Sequence, residues 1–315
     1  MLDRNRNGKV TSSDCYKMFE SATVQKTYLR DLKVGNRYKQ SDREKDVFNF
    51  KWGHLLEEYI FQTGRLEGFI NNNNESNPTI FSSKNNFHCG TPDFYKIDEF
   101  GIVGDNKSPV TLLGFDNLIF PILDGEKDGN KQIELIVNNS KEGKKYYCQL
   151  ISNAILLEDK FGVEFNKGIL SAYMPYAHEL SDIIKFAEEN FTEYYTPILS
   201  GTEKTLPCLL PSTDFDNIGE YPTNDFYQVE FDITKEMKEN FIKEFMHEMF
   251  GVVRTVIIND CVYFVGIDVA CALKYSNASK AISTHCKHAI KAILDVSSQN
   301  GKSDTKARKT QEMYV

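Results

Sequence analysis

No Cys-x-x-Cys pair occurs in this chain of 315 residues, whose seven cysteines are Cys15, Cys89, Cys148, Cys208, Cys261, Cys271 and Cys286. Thiols this dispersed, and odd in number, exclude a zinc ribbon or an iron–sulfur cluster and point to reduced cysteines rather than disulfides. Long apolar runs are also missing, and Met1-Leu2-Asp3-Arg4-Asn5-Arg6 has no apolar signal-peptide core. The expectation is therefore a soluble, cytoplasmic protein with no membrane partner. Internal repeats are absent. So is positive net charge: at −8, the chain as a whole disfavours a nucleic-acid partner. Residues 1–51, however, hold twelve Lys and Arg against seven Asp and Glu, so the acidic excess lies in the remainder and the basic character is local. DNA binding through such a confined surface is modest and salt-sensitive.

What is present is a globular composition, 41% hydrophobic and 12% aromatic, with length enough for two domains. The chemistry concentrates between Gly90 and Pro109. Asp93 follows a Gly-Thr-Pro turn and begins an apolar–polar alternation, and after the turn at Asp98-Glu99-Phe100-Gly101 a second alternating run carries Asp105 and Lys107. Two such runs form a hairpin. Residues two apart on a strand share a face, so Asp105 and Lys107 project together while the carbonyl of Asn106 points along the sheet. Two carboxylates suit a hard divalent cation such as magnesium, and a neighbouring lysine can hold or deprotonate a water. An ordinary surface hairpin with solvated charges fits the same stretch.

Along the rest of the chain, Lys9 to Asp14 reads as a helix start with a serine or threonine cap, before Cys15, Met18 and Phe19. A helix N-terminus flanked by Arg4, Arg6 and Lys9 would also suit a phosphate. A second helix is expected around Lys26 to Lys33, ending near Gly35, and a third over Lys51 to Gln62, with Leu55, Leu56, Tyr59 and Ile60 on its core stripe and Gly64 as terminator. Glu57 and Glu58 lie about 100° apart on that helix, so only one can face the hairpin. Asn71 to Asn77 reads as a polar, mobile loop, and within residues 110–145 Asp124 to Asn130 reads as a turn-rich insertion. Tyr146 to Lys160 reads as a helix with Leu150, Ala154 and Leu157 on an apolar stripe, and with Gln149 and Asn153 one turn apart, facing either solvent or the site.

Gly168 to Met174 is an expected strand, His178 to Asn190 a helix, and Tyr194 to Thr223 an irregular excursion. Phe226 to Asp232 alternates as a strand, and Thr234 caps a helix running to about Phe250. From Gly251 the texture changes: strands over Val252–Ile258 and Cys261–Val265 flank a turn at Asn259-Asp260, and short helices follow at Asp268–Leu273 and Asn277–His285. A polar tail runs from Ser297 to Thr310. His285 and His288 around Cys286 have no second ligand pair and are not expected to hold a metal. His88 is expected to be a packing or surface residue.

Pro92-Asp93 followed by Asp105-Asn106-Lys107 resembles the PD-(D/E)xK nuclease superfamily. Residues 1 to about 250 are similar, motif after motif, to its phage-lambda-type exonucleases, also called YqaJ-like viral recombinases. Arg6 with Val10-Thr11-Ser12-Ser13 resembles the segment that holds a 5′ phosphate there, and Trp52-Gly53 with Glu57 resembles the Trp-Gly-x-x-x-Glu helix, which favours Glu57 over Glu58. Gly90-Thr91-Pro92-Asp93 stands where the family has Ser-Pro-Asp, Asp105-Asn106-Lys107-Ser108-Pro109 where it has Glu-x-Lys-Cys-Pro, and Tyr146-Tyr147-Cys148-Gln149 resembles its glutamine-bearing helix. Residues 252–315, through Phe264-Val265, Asp268-Val269-Ala270, Leu273 to Ile282 and Arg308-Lys309-Thr310, resemble the N-terminal part of the Bro-N DNA-binding module, expected here as a partial copy.

The resemblance implies an α/β (α+β) chain with a restriction-endonuclease-like core, a central mixed sheet flanked by helices, over 1–250 and a small α+β module over 251–315. It implies a magnesium- or manganese-dependent deoxyribonuclease without an iron–sulfur cluster, most simply a 5′-to-3′ exonuclease on linear duplex ends in phage recombination, in the host cytoplasm. Asp93, Asp105, the Asn106 carbonyl and Glu57 would hold metal; Lys107 and Gln149 would join Asp93, Asp105 and Glu57 in catalysis. Arg6, Lys9, Ser12, Ser13, Thr91, Lys274 and Lys280 would contact DNA. A homo-oligomer and a single-strand annealing protein are the implied partners. Asp105 is one methylene shorter than the family's usual glutamate, and insertions near 120–143 and 180–222 bear on the oligomeric ring. The alternatives are a structure-specific or restriction-like endonuclease, and a non-catalytic DNA-binding regulator that uses the Bro-N-like segment.

Overall fold

The computed structural model describes residues 9–34, 44–84, 88–191, 208–211, 222, 224–250, 255–258, 261–272, 275–286, 291–295 and 310–314. Arg4, Arg6, Gly35, Lys274, His288, the Asn259-Asp260 turn, most of the 194–223 excursion and the tail before Thr310 lie outside them. The chain divides into two compact units, residues 1–241 and 242–315. No helix among the described residues is long and apolar enough to cross a membrane.

The first unit is built on a five-stranded sheet of β2 (Ile70–Asn71), β5 (Phe94–Ile97), β6 (Gly101–Lys107), β7 (Phe165–Tyr173) and β8 (Phe226–Asp232), hydrogen-bonded in that order. Only β6 and β7 are parallel; the other neighbours run antiparallel, so the sheet is mixed. Parallel neighbours need a crossover. It is made by α3 (Leu112–Leu123), α4 (Gly129–Asn139) and α5 (Lys141–Phe161).

Side chains alternate across the sheet and divide the interior in two. Tyr95, Val103, Leu170 and Ala172 meet Leu150, Ala154 and Leu157 of α5. Phe94, Ile169 and Tyr173 meet Trp52, Leu55, Leu56, Tyr59 and Ile60 of α2 (Glu44–Gln62), together with Ile183 and Ala187 of α6 (Leu180–Asn190). Helices thus cover both faces, as the α/β expectation requires. Each large side chain fully buried here, such as Trp52, Leu55 or Phe165, contributes about 1.5–3 kcal/mol.

Local signals explain where the helices begin and end. Ser140 Oγ accepts from Gly143 N at 2.9 Å to start α5, and Gly162, at φ 69°, ends it in the left-handed conformation. Gly64, at φ 75°, lies in the turn after α2, in keeping with its reading as terminator. Thr234 Oγ1 accepts from Met237 N at 3.1 Å at the start of α7 (Lys235–Phe250).

Several local expectations are corrected. Val10–Thr11 is a strand, β1, lying parallel to β4 (His88–Gly90), which also pairs with β3 (Ile80–Phe81). Cys15–Phe19 is a 3-10 turn behind Asp14, with no side-chain cap bond. The hydroxyls of Ser12 and Ser13 are therefore not helix caps. The next helix, α1, runs Ala22–Val34, and α2 and α5 both begin several residues before the expected starts. The asparagine stretch is not simply a loop: Ile70–Asn71 pairs with β5, and the buried Asn72 donates from Nδ2 to the carbonyls of Pro78 and Pro92, each at 2.9 Å. The turn-rich stretch from Asp124 to Asn130 joins α3 to α4, two helices that the sequence reading did not name.

In the second unit, β9 (Thr255–Ile258) and β10 (Cys261–Phe264) form an antiparallel hairpin. α8 (Gly266–Ala272) and α9 (Ala278–His285) follow, packed through Ala270, Ala281 and Ile282, and Asn277 caps α9 by accepting from Lys280 N. β11 (Lys291–Asp295) and β12 (Thr310–Tyr314) pair antiparallel.

Candidate active site

Val103, Asp105 and Lys107 alternate along β6, so the face that buries Val103 beneath α5 also carries the acid and the lysine. Asp105 is fully buried. Gln149, on the inner side of α5, donates from Nε2 to Asp105 Oδ1 at 2.9 Å. Lys107 Nζ lies 2.6 Å from Asp105 Oδ2, yet off the direction of a well-aligned hydrogen bond, so that oxygen is buried with an ion-pair partner and no aligned donor.

Asp93 comes from the turn before β5. Its Oδ2 accepts from the backbone N of Asn106 at 2.8 Å. The Asn106 side chain is anchored elsewhere: its Oδ1 accepts from Ser171 Oγ at 3.0 Å, and its Nδ2 donates to Ser108 Oγ at 3.1 Å. A hairpin and one parallel neighbour are thus enough to bring both acids and the lysine to the end of β6.

The electrostatics of the pair are unbalanced. Burial, then the charges of Asp105 and Glu57, push the Asp93 carboxyl well above the usual carboxylate range, with Lys107 pulling the other way. Burial opposes the charge of Lys107, but Asp105 and Asp93 outweigh it and hold the amine above the ordinary lysine range. Lys107 is therefore an ammonium, with Nζ 4.9 Å from the centre of the Tyr146 ring. One lysine does not neutralise these acids.

The two glutamates of α2 have different neighbours. Glu58 accepts from Asn71 Nδ2 at 2.7 Å, whereas Glu57, 3.4 Å from His54 Nδ1, is the one whose charge bears on Asp93. Among the described residues, no three carboxylate, imidazole or thiol groups converge as one ion-binding cluster. The donor set is Asp93 and Asp105, each with one oxygen held by an amide, and Glu57 acts on it through its charge. This fits magnesium, which is commonly bound by one or two carboxylates and keeps its remaining positions for water and substrate phosphate.

The expected DNA-contacting residues are dispersed. Ser12 is buried; its Oγ accepts from Ser152 Oγ at 2.8 Å, and Ser152 Oγ is 2.7 Å from His88 Nε2. A Cβ at Gly90 would overlap Ser12 Oγ and Asn153 Oδ1, so this corner closes only around glycine. His88 is a packing residue, its pKa lowered to about 4 by burial, with Asp159 acting against the shift. Asn153 is buried beside Ser12 rather than at the acids.

Ser13 is exposed, 3.1 Å from Thr11 Oγ1. Lys9 Nζ sits 5.5 Å from the centre of the Phe81 ring, and Thr91 Oγ1 is 3.3 Å from Thr79 Oγ1. Lys280 is exposed on α9, in the other unit, where His285 makes a tilted ring contact with Tyr275. Arg6 and Lys274 are outside the described residues.

A cleft of about 330 Å³ opens beyond Lys107, lined by Ser108, Thr111, Ser140, Glu142 and Tyr146 among others. Sequence reading singled out Gln149 but not Lys145, although the spacing i, i+4 on one helix puts both on the same face.

Residues 252–315 match the family model described as "BRO family, N-terminal domain", over the segment that resembles Bro-N. Among solved structures, the chain is similar to the alkaline exonuclease LHK-Exo from Laribacter hongkongensis, at 12% identity and a TM-score of 0.43, over 77% of this chain and 87% of that one. It is similar also to LHK-Exo in complex with dAMP, at 12% identity and a TM-score of 0.43, over 76% and 85%. At that distance neither assigns an activity to this chain. Comparison with curated proteins finds no match.

Proposed function

We propose that the first unit is a metal-dependent deoxyribonuclease, acting as a 5′-to-3′ exonuclease on linear duplex ends. The observation that carries this reading is the contact of Lys107 with the buried Asp105, beside an Asp93 whose carboxyl is pushed up by burial and then by its acidic neighbours. Acids whose charges oppose one another around a single lysine, next to a cleft that the same lysine lines, are a candidate site for chemistry on a charged substrate.

Asp93 and Asp105 would hold magnesium or manganese, with Glu57 and the Asn106 carbonyl as the further ligands that the resemblance implies. A divalent cation held there supplies Lewis acidity, making a nucleophile from water and offsetting charge that develops on the phosphoryl group and the leaving 3′ oxygen. Gln149 Nε2 and Asn106 N each fix one carboxylate oxygen, so the acids meet their ligand without rearranging. As an ammonium, Lys107 donates; it orients the attacking water or a phosphate oxygen rather than accepting the proton. Ser13, exposed on the segment after β1, would meet a terminal phosphate, and the Bro-N-like unit would add a second DNA contact.

The test is degradation of a linear duplex with labelled 5′-phosphate ends in magnesium, beside a covalently closed circle. Loss of the linear duplex alone supports an end-dependent exonuclease. Rapid cutting of the circle replaces it with an endonuclease. No degradation in magnesium or manganese, with duplex binding unaffected by Asp93→Ala, leaves a non-catalytic DNA-binding protein.

A further inference from the structure

Among the described residues, one lysine near the acids makes no ion pair with a carboxylate. Lys145 stands one helical turn before Gln149 on α5, the residue that touches Asp105, and is half-buried. The two carboxylates whose charges favour its ammonium are both engaged: Asp14 lies 2.6 Å from Lys17 Nζ, and Asp105 lies 2.6 Å from Lys107 Nζ. Its closest recorded partner is the ring of Tyr146, with Nζ 6.0 Å from the centroid. Burial, and then the charge of Lys107, push the Lys145 amine below the usual lysine range; Asp14 and Asp105 only partly restore it. A half-buried cation beside two others is costly in a folded protein unless an anion completes the arrangement.

We propose that Lys145 is a phosphate-binding residue of the nuclease site, holding the phosphate next to the scissile one on the cleaved strand. This rests on the nuclease reading above and goes further, by naming a residue that the motif resemblance does not include. Position supports it. Lys145 interacts with the charges of Asp105 and Lys107 and also with those of Asp14 and Lys17, on the segment that carries the exposed Ser13 and packs on α5 through Cys15 Sγ to Cys148 O at 3.5 Å and Lys144 Nζ to Phe19 O at 3.3 Å. A strand whose scissile phosphate is at Asp105 and whose end approaches Ser13 passes over Lys145, one turn or about 5.4 Å along the helix from Gln149. An ammonium with spare donors and no protein acceptor is the group such a phosphate would meet.

The test compares the full-length wild type, Lys145→Met and Lys145→Arg on a linear duplex in magnesium across a range of sodium chloride concentrations, with thermal melting of each protein. Lys145→Met is expected to raise KM about tenfold, with kcat within about twofold. The slope of log kcat/KM against log salt should become shallower by roughly 0.9, the loss of one phosphate contact. Lys145→Arg should keep the wild-type slope. Because an uncompensated charge is removed, Lys145→Met should melt no lower than wild type. An unchanged KM and slope, or activity lost together with a lower melting temperature, overturns the proposal. A wild type that cleaves no DNA overturns the nuclease reading, and this inference with it.

Discussion

Two clusters in the first unit have the same formal composition, two carboxylates and one permanent cation, and opposite character. Beside α6, Arg65 reaches Glu179 Oε1 at 2.7 Å with Nη2, which also donates to Asp225; its Nη1 donates to Thr63 Oγ1 at 2.7 Å, and the guanidinium lies 4.8 Å from the centre of the Tyr173 ring. The second oxygen of Glu179 accepts from the backbone N of Tyr176 at 2.9 Å. Every charge there has directed partners. At the end of β6, Lys107 meets Asp105 off-axis and the face of Tyr146, and Asp93 is left with a raised carboxyl among acids. The guanidinium fork can serve two carboxylates at once, whereas an ammonium acts as a point charge. The difference teaches that the first cluster is balanced by directed contacts as folded, whereas the second has the imbalance that the proposed cation would offset.

Substitutions should separate the two, the largest effect first. Asp105→Asn should lower DNA cleavage by about a thousandfold or more while the protein stays folded, since it removes a buried donor to the cation. Arg65→Ala should do the reverse, costing about 3 kcal/mol in denaturant unfolding by stranding Glu179 and Asp225, with kcat of the folded fraction little changed. If Arg65→Ala abolished cleavage at full stability, the comparison would break.

Gln149→Ala should reduce metal affinity or turnover by about 10- to 100-fold, because it frees Asp105 Oδ1 without removing the ligand. A metal titration followed by turnover assays checks this.

The smallest effect concerns stability. A carboxyl whose folded pKa is raised contributes stability below the ordinary carboxylate range, and this is lost as pH rises through the raised value. Asp93→Asn should therefore melt higher than wild type at neutral pH in chelator, by about 2–4 °C for each kcal/mol of repulsion relieved, and the gain should vanish in acid. Glu179→Gln should melt lower at neutral pH. Equal shifts in the two variants would erase the distinction.

How far the sequence discloses this arrangement depends on the range of the forces involved. The Asp93–Lys107 hairpin was legible because strand alternation and a turn are local, and the Asp105–Lys107 pairing follows from the same period of two. β8 could be read from Phe226 to Asp232 because an edge strand with one wet face alternates cleanly. β1 could not: Val10 and Thr11 are a strand only because His88 and Cys89 lie beside them. Ser12 read as a cap for want of Ser152, 140 residues away in sequence, to which its hydroxyl is bonded. The turn residues from Asp124 to Asn130 hid the helices on either side, and Asn72 looked solvent-loving until Pro78 and Pro92 supplied its acceptors. At the site, the candidate residues could be named from the sequence; the imbalance of charge and the half-burial of Lys145 required the fold.

The most direct measurement is the single-turnover rate at which wild-type protein and Lys107→Ala degrade a linear duplex in magnesium, both shown to be folded by thermal melting. The account predicts magnesium-dependent cleavage by the wild type and a loss of at least about a hundredfold in the variant, for want of the donor that orients the reacting groups. Equal rates in the two proteins, or no cleavage by either, would contradict it.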